Sequence, residues 1–315
     1  MGYDNHKIRI IFIGTAEFGV PSFKAILNDP MFDIDLVITQ PDRPSGRKQT
    51  VSPSPIKLLA QEFKIPVVQP NKIDDLTDKI KQLHPDIIIV VAYAQLIPEV
   101  ILNLPKYGCL NLHGSLLPKY RGASPIQAAL LNQEKETGVT IIKMDKGLDT
   151  GSILTQTIVR LLPNDNTETL YNKLSEAGSV LLVNTLKKYL IGKIIPTPQD
   201  DNISSYAKKI SKSDGLIDWT KPANEIETFI RAMTPWPTAW TWWQGKQIKI
   251  IQAQHQAIEI NLYKPGKTFI YNRGLAVQCG HEAIIIRRLQ LEGKKEMTSD
   301  EFLRGHQDFT GSVLG

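Results

Sequence analysis

Asn111 and His113 stand two residues apart in the run Cys109-Leu-Asn-Leu-His-Gly114, where small or apolar residues alternate with polar ones. On an extended backbone, residues two apart point to the same side. The spacing therefore sets an amide beside an imidazole, a pair of donors suited to a carbonyl oxygen. Gly114 lets the chain turn, which leaves both groups at a strand's carboxyl end, where open α/β sheets bind ligands. The same segment, taken alone, also fits a core histidine next to a turn asparagine. Further along, Asp145-Lys-Gly-Leu-Asp149-Thr-Gly151 carries two glycines that let a loop curl and aim Asp149 at a partner.

A second group of chemistry-bearing residues lies between Gln40 and Pro55. This stretch holds four prolines, the basic residues Arg43, Arg47 and Lys48, and Val51 as its one clearly apolar side chain. It is expected to be a long exposed loop, and long loops in compact domains are usually functional or disordered. A basic arm gripping phosphates is one reading; a solvated connector is the other.

These groups need elements to position them. Lys7–Ile13 reads as a first parallel strand feeding a helix through Gly14–Gly19. The second and third glycines of a dinucleotide fingerprint are absent there, which disfavours a nicotinamide oxidoreductase. Strands are expected at 34–39, 86–92, 109–112, 138–144 and 153–159, and helices at 56–63, 73–83, 97–102 and 125–131. A long amphipathic helix over 167–190 is expected to open on a Thr N-cap. Alternating strands and helices predict a doubly wound, mostly parallel sheet. The pattern lapses into a proline-bearing linker around Ile195–Asn202. Beyond it come a helix over 224–233 and short β runs at 239–243, 247–253, 267–271, 275–278 and 283–291, as in a small β-barrel. A helical turn over 299–303 follows. Domains are thus expected at 1–190 and 208–315, joined by a linker over 191–207. Trp236, Trp240, Trp242 and Trp243 have the rings to stack on bases, but most are expected to pack the small core or a domain interface.

A chain of 315 residues with 42% hydrophobic and 22% charged residues suits a soluble protein of two ordinary domains. The net charge of +5 and pI near 9.0 permit a polyanionic partner without demanding one. No apolar run approaches the roughly 18 residues needed to span a bilayer. No secretory h-region precedes the first strand, and Cys109 and Cys279 form neither a disulfide framework nor a metal knuckle. The expectation is a cytoplasmic protein, a monomer without a membrane or metal partner.

Several of these stretches, in order, resemble the methionyl-tRNA formyltransferases. Gly14-Thr15 before Phe18 looks like that family's first turn. Thr39-Gln40-Pro41-Asp42-Arg43-Pro44 with Gly46-Arg47 looks like its basic loop, closed by Pro53-Ser54-Pro55 and Lys57. Val90-Val91-Ala92-Tyr93 is similar to the strand end above its folate site. Asn111-x-His113-Gly114-Ser115-Leu116-Leu117-Pro118 with Arg121-Gly122 resembles the signature of folate-dependent formyltransferases generally. Asp145-x-Gly147-Leu148-Asp149-Thr150-Gly151 resembles its partner loop. Ile217-Asp218-Trp219 and Arg231-Ala232-x-x-Pro235-Trp236-Pro237 are similar to the carboxy-terminal domain of the tRNA branch. Ala16 departs from the usual proline, and Gln49 and Thr50 stand where close relatives often carry lysines.

The resemblance implies a Rossmann-like formyltransferase domain followed by an OB-like β-barrel that binds tRNA. It implies transfer of the formyl group of 10-formyltetrahydrofolate to the α-amine of methionine on initiator tRNA. In that reaction a neutral amine attacks a formamide-like carbon and an oxyanion develops. A free α-amine titrates near about 7.7–8.0, so no strong base is needed; the site must position reactants and stabilise the oxyanion. Asn111 and His113 would hydrogen-bond the formyl oxygen, with Asp149 orienting and charge-stabilising His113 and routing a proton through water. Ser115, Leu116, Leu117 and Pro118 would line the folate pocket, and Arg43, Arg47 and Lys48 would hold the acceptor stem. The competing enzymes are a sugar-amine or glycinamide ribonucleotide formyltransferase, or a formyl-folate hydrolase. The competing binder is a silent RNA-binding protein on this scaffold, which would need none of Asn111, His113 and Asp149.

Overall fold

A computed structural model describes residues 7–45, 50–256 and 263–315. The chain divides into two compact units. The first comprises Met1–Pro125, Glu136–Arg160 and Tyr171–Ala207, the second Ile126–Lys135, Leu161–Leu170 and Lys208–Gly315.

The first unit is built on a seven-stranded sheet. Its strands are β1 (Ile8–Gly14), β2 (Phe32–Ile38), β5 (Val67–Val68), β6 (Ile87–Val91), β7 (Cys109–His113), β9 (Glu136–Lys143) and β10 (Ser152–Arg160). The order across the sheet is β10-β9-β7-β6-β1-β2-β5. From β7 to β5 every neighbour is parallel, whereas β9 runs antiparallel to β7 and β10 antiparallel to β9. All five residues of β6 are buried, as befits a central parallel strand covered on both faces. Its β-branched run meets that demand without a polar interruption. At the edge, β10 alternates half-buried and exposed residues from Thr155 onward.

Helices α1 (Val20–Leu27), α2 (Pro55–Glu62), α3 (Thr77–Leu83), α4 (Glu99–Leu102) and α5 (Pro125–Leu131) fall between these strands in the chain, and α6 (Thr167–Leu190) follows β10. Phe23 of α1 packs edge-on to Phe12 of β1, with ring centroids 4.9 Å apart. Ser54 caps α2, its hydroxyl accepting from the Lys57 amide at 3.1 Å, and Pro55 occupies the first helical turn. Thr167 is the first residue of α6 rather than its cap. The side-chain carbonyl of Asn166 accepts from the Thr169 amide at 2.9 Å and takes that role.

The stretch from Gln40 to Pro55 is shorter as a loop than its composition suggests. Arg43–Ser45 (β3) and Thr50–Ser52 (β4) pair as an antiparallel hairpin. Two prolines lie in or beside these strands, and proline is tolerated on such edge ladders because its missing N–H can face outward. At the hairpin's base Lys57 bonds Asp42 at 2.5 Å, and Gln69 donates to the same carboxylate at 2.7 Å. Together they hold the Asp42 carboxyl below the usual carboxylate value.

The second unit carries α7 (Ala223–Met233) and an antiparallel sheet. Its strands are β12 (Ala239–Trp243), β13 (Lys246–Gln256), β14 (Thr268–Tyr271), β15 (Gly274–Gln278), β16 (Ala283–Leu291) and β17 (Met297–Thr298), and α8 (Ser299–Gly305) follows. The order is β12-β13-β16-β15-β14, with β17 beside β16. The chain's last residues return the ladder to its start. Leu314 N donates to Gly266 O at 2.9 Å beside β14, and Gly315 N donates to Trp242 O at 3.1 Å on β12. This is the small β-barrel that the evenly spaced runs predict. Trp219 and Trp243 join Ile226, Ile230, Ile248, Ile250 and Phe302 in its core. The expectation that most of the four clustered tryptophans are packed inside is only partly met. Trp243 is buried and Trp240 half-buried, its indole donating to Lys212 O, while Trp236 and Trp242 remain exposed.

Candidate active site

β7 delivers Asn111 and His113 from the middle of the sheet. Val90 of β6 and Ile142 of β9 flank Asn111, and Thr140 of β9 pairs with His113. The strand's apolar residues anchor it between two buried neighbours, so the polar pair is presented from a rigid support.

Asp149 comes from the loop between β9 and β10. Within that loop the Asp145 carboxylate accepts from the Gly147 amide at 3.0 Å and from the Thr150 hydroxyl at 2.6 Å. A side chain at Gly147 would put a Cβ 2.0 Å from that hydroxyl, and one at Gly151 would lie 2.1 Å from the Lys143 carbonyl. Both glycines are therefore required by close approach, and between them Asp149 adopts a left-handed φ of 55°. A non-glycine residue in that region is uncommon and needs support from its surroundings.

Three groups face its carboxylate. The Asn111 amide donates to Oδ1 at 3.3 Å, the Gly122 backbone N–H donates to Oδ2 at 2.8 Å, and His113 Nδ1 lies 3.5 Å from Oδ2. The other ring nitrogen, Nε2, is 2.9 Å from the Tyr120 carbonyl. A carbonyl only accepts, so Nε2 carries a proton and Nδ1 is the nitrogen left facing the carboxylate. The structure thus brings Asn111, His113 and Asp149 together from one strand and one loop. Both side chains of the His113–Asp149 pair are nearly shielded from solvent, at 7% and 13% exposure.

The turn after β7 distributes its residues unevenly. Ser115 is fully buried, donating to Lys119 O at 2.6 Å, and its own carbonyl accepts from the Thr140 hydroxyl at 2.6 Å. Leu117 is buried as well, with its N–H on Thr140 Oγ1 and its carbonyl on the Gln156 amide. Leu116 and Pro118 keep part of their surface open. Leu116 lies over Gly138, where a Cβ would come within 2.5 Å of it. Arg43 is exposed on the hairpin with its guanidinium 3.5 Å from the Gln40 side chain. Arg47 and Lys48 lie outside the described residues.

Sequence reasoning missed the groups that hold these side chains in place. The Gly122 N–H and the Tyr120 carbonyl are backbone atoms and carry no residue-type signature. Gln199 donates to the Asp149 and Gly151 carbonyls at 2.8 and 2.7 Å from a segment read as a linker. Its only prior signal was an isolated amide in a proline-bearing run. Among the described residues, no group of three His, Cys, Asp or Glu stands where it could hold a metal ion. No helix among them is long and apolar enough to cross a membrane.

Comparison with known proteins agrees with this architecture. The formyl transferase family model matches residues 7–186, and the model of the formyl transferase C-terminal domain matches residues 209–307. The methionyl-tRNA formyltransferase of Geotalea uraniireducens (strain Rf4) is 44% identical over 311 residues, covering 98% of each chain. That of Methylacidiphilum infernorum (isolate V4) is 44% identical over 318 residues, again covering 98% of both. The crystal structure of the N-formyltransferase from Helicobacter canadensis, bound to folinic acid and dTDP-3-aminofucose, superposes with a TM-score of 0.66. It is 22% identical, over 89% of this chain and 99% of that one, a likeness of fold. With both halves matched and near-complete coverage at this identity, the chain belongs to the methionyl-tRNA formyltransferase family.

Proposed function

We propose that this protein transfers the formyl group of 10-formyltetrahydrofolate to the α-amino group of methionine esterified to initiator tRNA. The observation that carries the reading is the convergence of Asn111, His113 and Asp149 at the carboxyl end of β7. The near-complete likeness to methionyl-tRNA formyltransferases supports the choice of acceptor.

The geometry suits acyl transfer to an amine. One Asn111 N–H is engaged by Asp149, which leaves the other to donate to the formyl oxygen. With Nε2 committed to the Tyr120 carbonyl, His113 meets the same oxygen through Nδ1 when that nitrogen is protonated. The Asp149 carboxylate, 3.5 Å away, balances the imidazolium charge and is strongest in effect where water is excluded. The amine nitrogen bonds the formyl carbon, the bond from that carbon to N10 of the folate breaks, and the proton lost by the amine ends on N10. Its transfer passes through the Asp149 carboxylate and water.

Leu116 and Pro118, backed by the buried Ser115 and Leu117, form the wall of the folate site. Arg43, Arg47 and Lys48 contact phosphates of the acceptor stem, and residues 208–315 form the RNA-binding domain that follows the catalytic domain (1–190) and linker (191–207). The protein works as a cytoplasmic monomer without a metal. A sugar-amine acceptor is disfavoured by the near-complete likeness to methionyl-tRNA formyltransferases.

The test is formyl transfer from 10-formyltetrahydrofolate to charged initiator tRNA, run beside charged elongator methionyl-tRNA. Formylation of the initiator alone is expected. Hydrolysis of the donor without transfer, or equal formylation of both RNAs, would remove the acceptor assignment. The rate is expected to rise toward about pH 8 as the free α-amine loses its proton.

A further inference from the structure

Residues 197–207 lie along the edge of the first unit and reach the candidate site at several points. Thr197 exchanges two backbone hydrogen bonds with Ile153 of β10, both 2.8 Å. Tyr206–Ala207 (β11) pair in parallel with Arg121–Gly122 (β8). Ser205 accepts from the Arg121 N–H at 2.8 Å through its carbonyl and from the Tyr120 N–H at 2.9 Å through its hydroxyl. Between these fixed points sits Gln199.

Every hydrogen-bonding capacity of the Gln199 amide is used. Its two N–H groups donate to the Asp149 carbonyl at 2.8 Å and the Gly151 carbonyl at 2.7 Å. Its oxygen accepts from Arg121 Nε at 3.1 Å and Nη2 at 2.9 Å. The amide has one orientation here. Flipped, it would set an NH2 against a guanidinium and an oxygen against two carbonyls. The Arg121 side chain is 3% exposed and continues to Asp201 at 2.7 Å. The residue after it, Gly122, gives its N–H to the Asp149 carboxylate. Gln199 thus ties the backbone on which Asp149 rides to the strand whose amide holds the Asp149 carboxylate.

We propose that Gln199, together with the buried Arg121, is a positioning residue. The pair holds Asp149 in its left-handed backbone conformation and fixes the direction of its carboxylate toward Asn111 and His113. The φ of 55° is unfavourable for an aspartate, and two hydrogen bonds to the carbonyls on either side of Thr150 are what a loop needs to keep it. The inference rests on the reading of Asn111, His113 and Asp149 as the reacting groups. It adds to that reading a residue some fifty positions beyond Asp149, outside the segments assigned to substrate above.

The test is Gln199→Glu. This substitution preserves size and the acceptor for Arg121 but turns both donations into repulsions. We expect kcat for formyl transfer to fall about 10- to 100-fold, the scale for misplacing a reacting group by an ångström or so. KM for donor and acceptor should stay within about twofold, since the Gln199 amide is fully spent on Asp149, Gly151 and Arg121. In an Asp149→Asn background the same substitution should cost less than about twofold more, because its effect passes through that carboxylate. In the NMR spectrum, the Gly122 amide proton should move upfield as its carboxylate acceptor turns away. Gln199→Asn, which keeps the amide but shortens its reach by one methylene, carries the same measurements if the charged variant does not fold. An unchanged kcat, an equal loss in the Asp149→Asn background, or an unmoved Gly122 amide would each overturn the proposal. If the parent protein formylates no RNA, the functional reading falls separately, and the Gly122 amide alone decides whether Gln199 aims Asp149.

Discussion

The Asp149 carboxylate faces an amide, a backbone N–H and an imidazole at once. Asp149→Asn keeps an oxygen for one of those donors and removes the charge that balances His113. Turnover is expected to fall about 100- to 10,000-fold, the range for losing a positioned acid–base group, with near-parent KM in steady-state kinetics. A loss under tenfold would mean that the charge is not needed. Asn111 and His113 were legible in the sequence because a period of two is the plainest signature an extended chain has. Asp149 was legible because Gly147 and Gly151 bracket it, and glycines mark close approach. The atoms that complete the arrangement were not. The Tyr120 carbonyl and the Gly122 amide belong to every residue type alike, and Gln199 meets Asp149 only after the sheet has folded.

At the level of elements, the central strands announced themselves through unbroken β-branched runs, and the barrel through evenly spaced short ones. The hairpin of β3 and β4 did not, because proline, the residue that argues against a strand, is tolerated along an exposed edge. Its base is pinned by the Lys57–Asp42 pair, which gives it a definite response to acid. The folded-state pKa of Asp42 lies below its ordinary value of 3.8, first through its hydrogen bond with Lys57 and then through that with Gln69. The stabilisation is therefore complete above that ordinary value and is lost as pH falls through the lowered one. Amide exchange at Thr50 and Ser52, which pair with Ser45 and Arg43 across the ladder, is expected to speed up below about pH 4 relative to the central strands. In Asp42→Asn it should be fast at neutral pH as well. An Asp42→Asn hairpin that exchanges as slowly as the parent would show that the pair does not hold it.

Across the whole molecule, the two cysteines report on the two units separately. Cys109 is the first residue of β7, with its thiol near the Ile101 and Leu102 carbonyls, and Cys279 lies in the barrel core. Burial pushes both thiols up to about 12, so at pH 8 neither supplies thiolate. A disulfide reagent should leave the native protein unlabelled and titrate both thiols once denaturant opens the fold. Labelling of one thiol at low denaturant would show its unit opening first. The run from Thr197 to Ala207 also bears on how such a protein can be recombined. The compact first unit runs on through Ala207 and does not stop where α6 ends at Leu190. A graft ending at Leu190 would transplant Asn111, His113 and Asp149 and leave behind Gln199 and the β11 backbone that anchors Gly122. Whoever exchanges the carboxy-terminal half for a foreign one, whether an engineer or a gene fusion, has to place the crossover after Ala207.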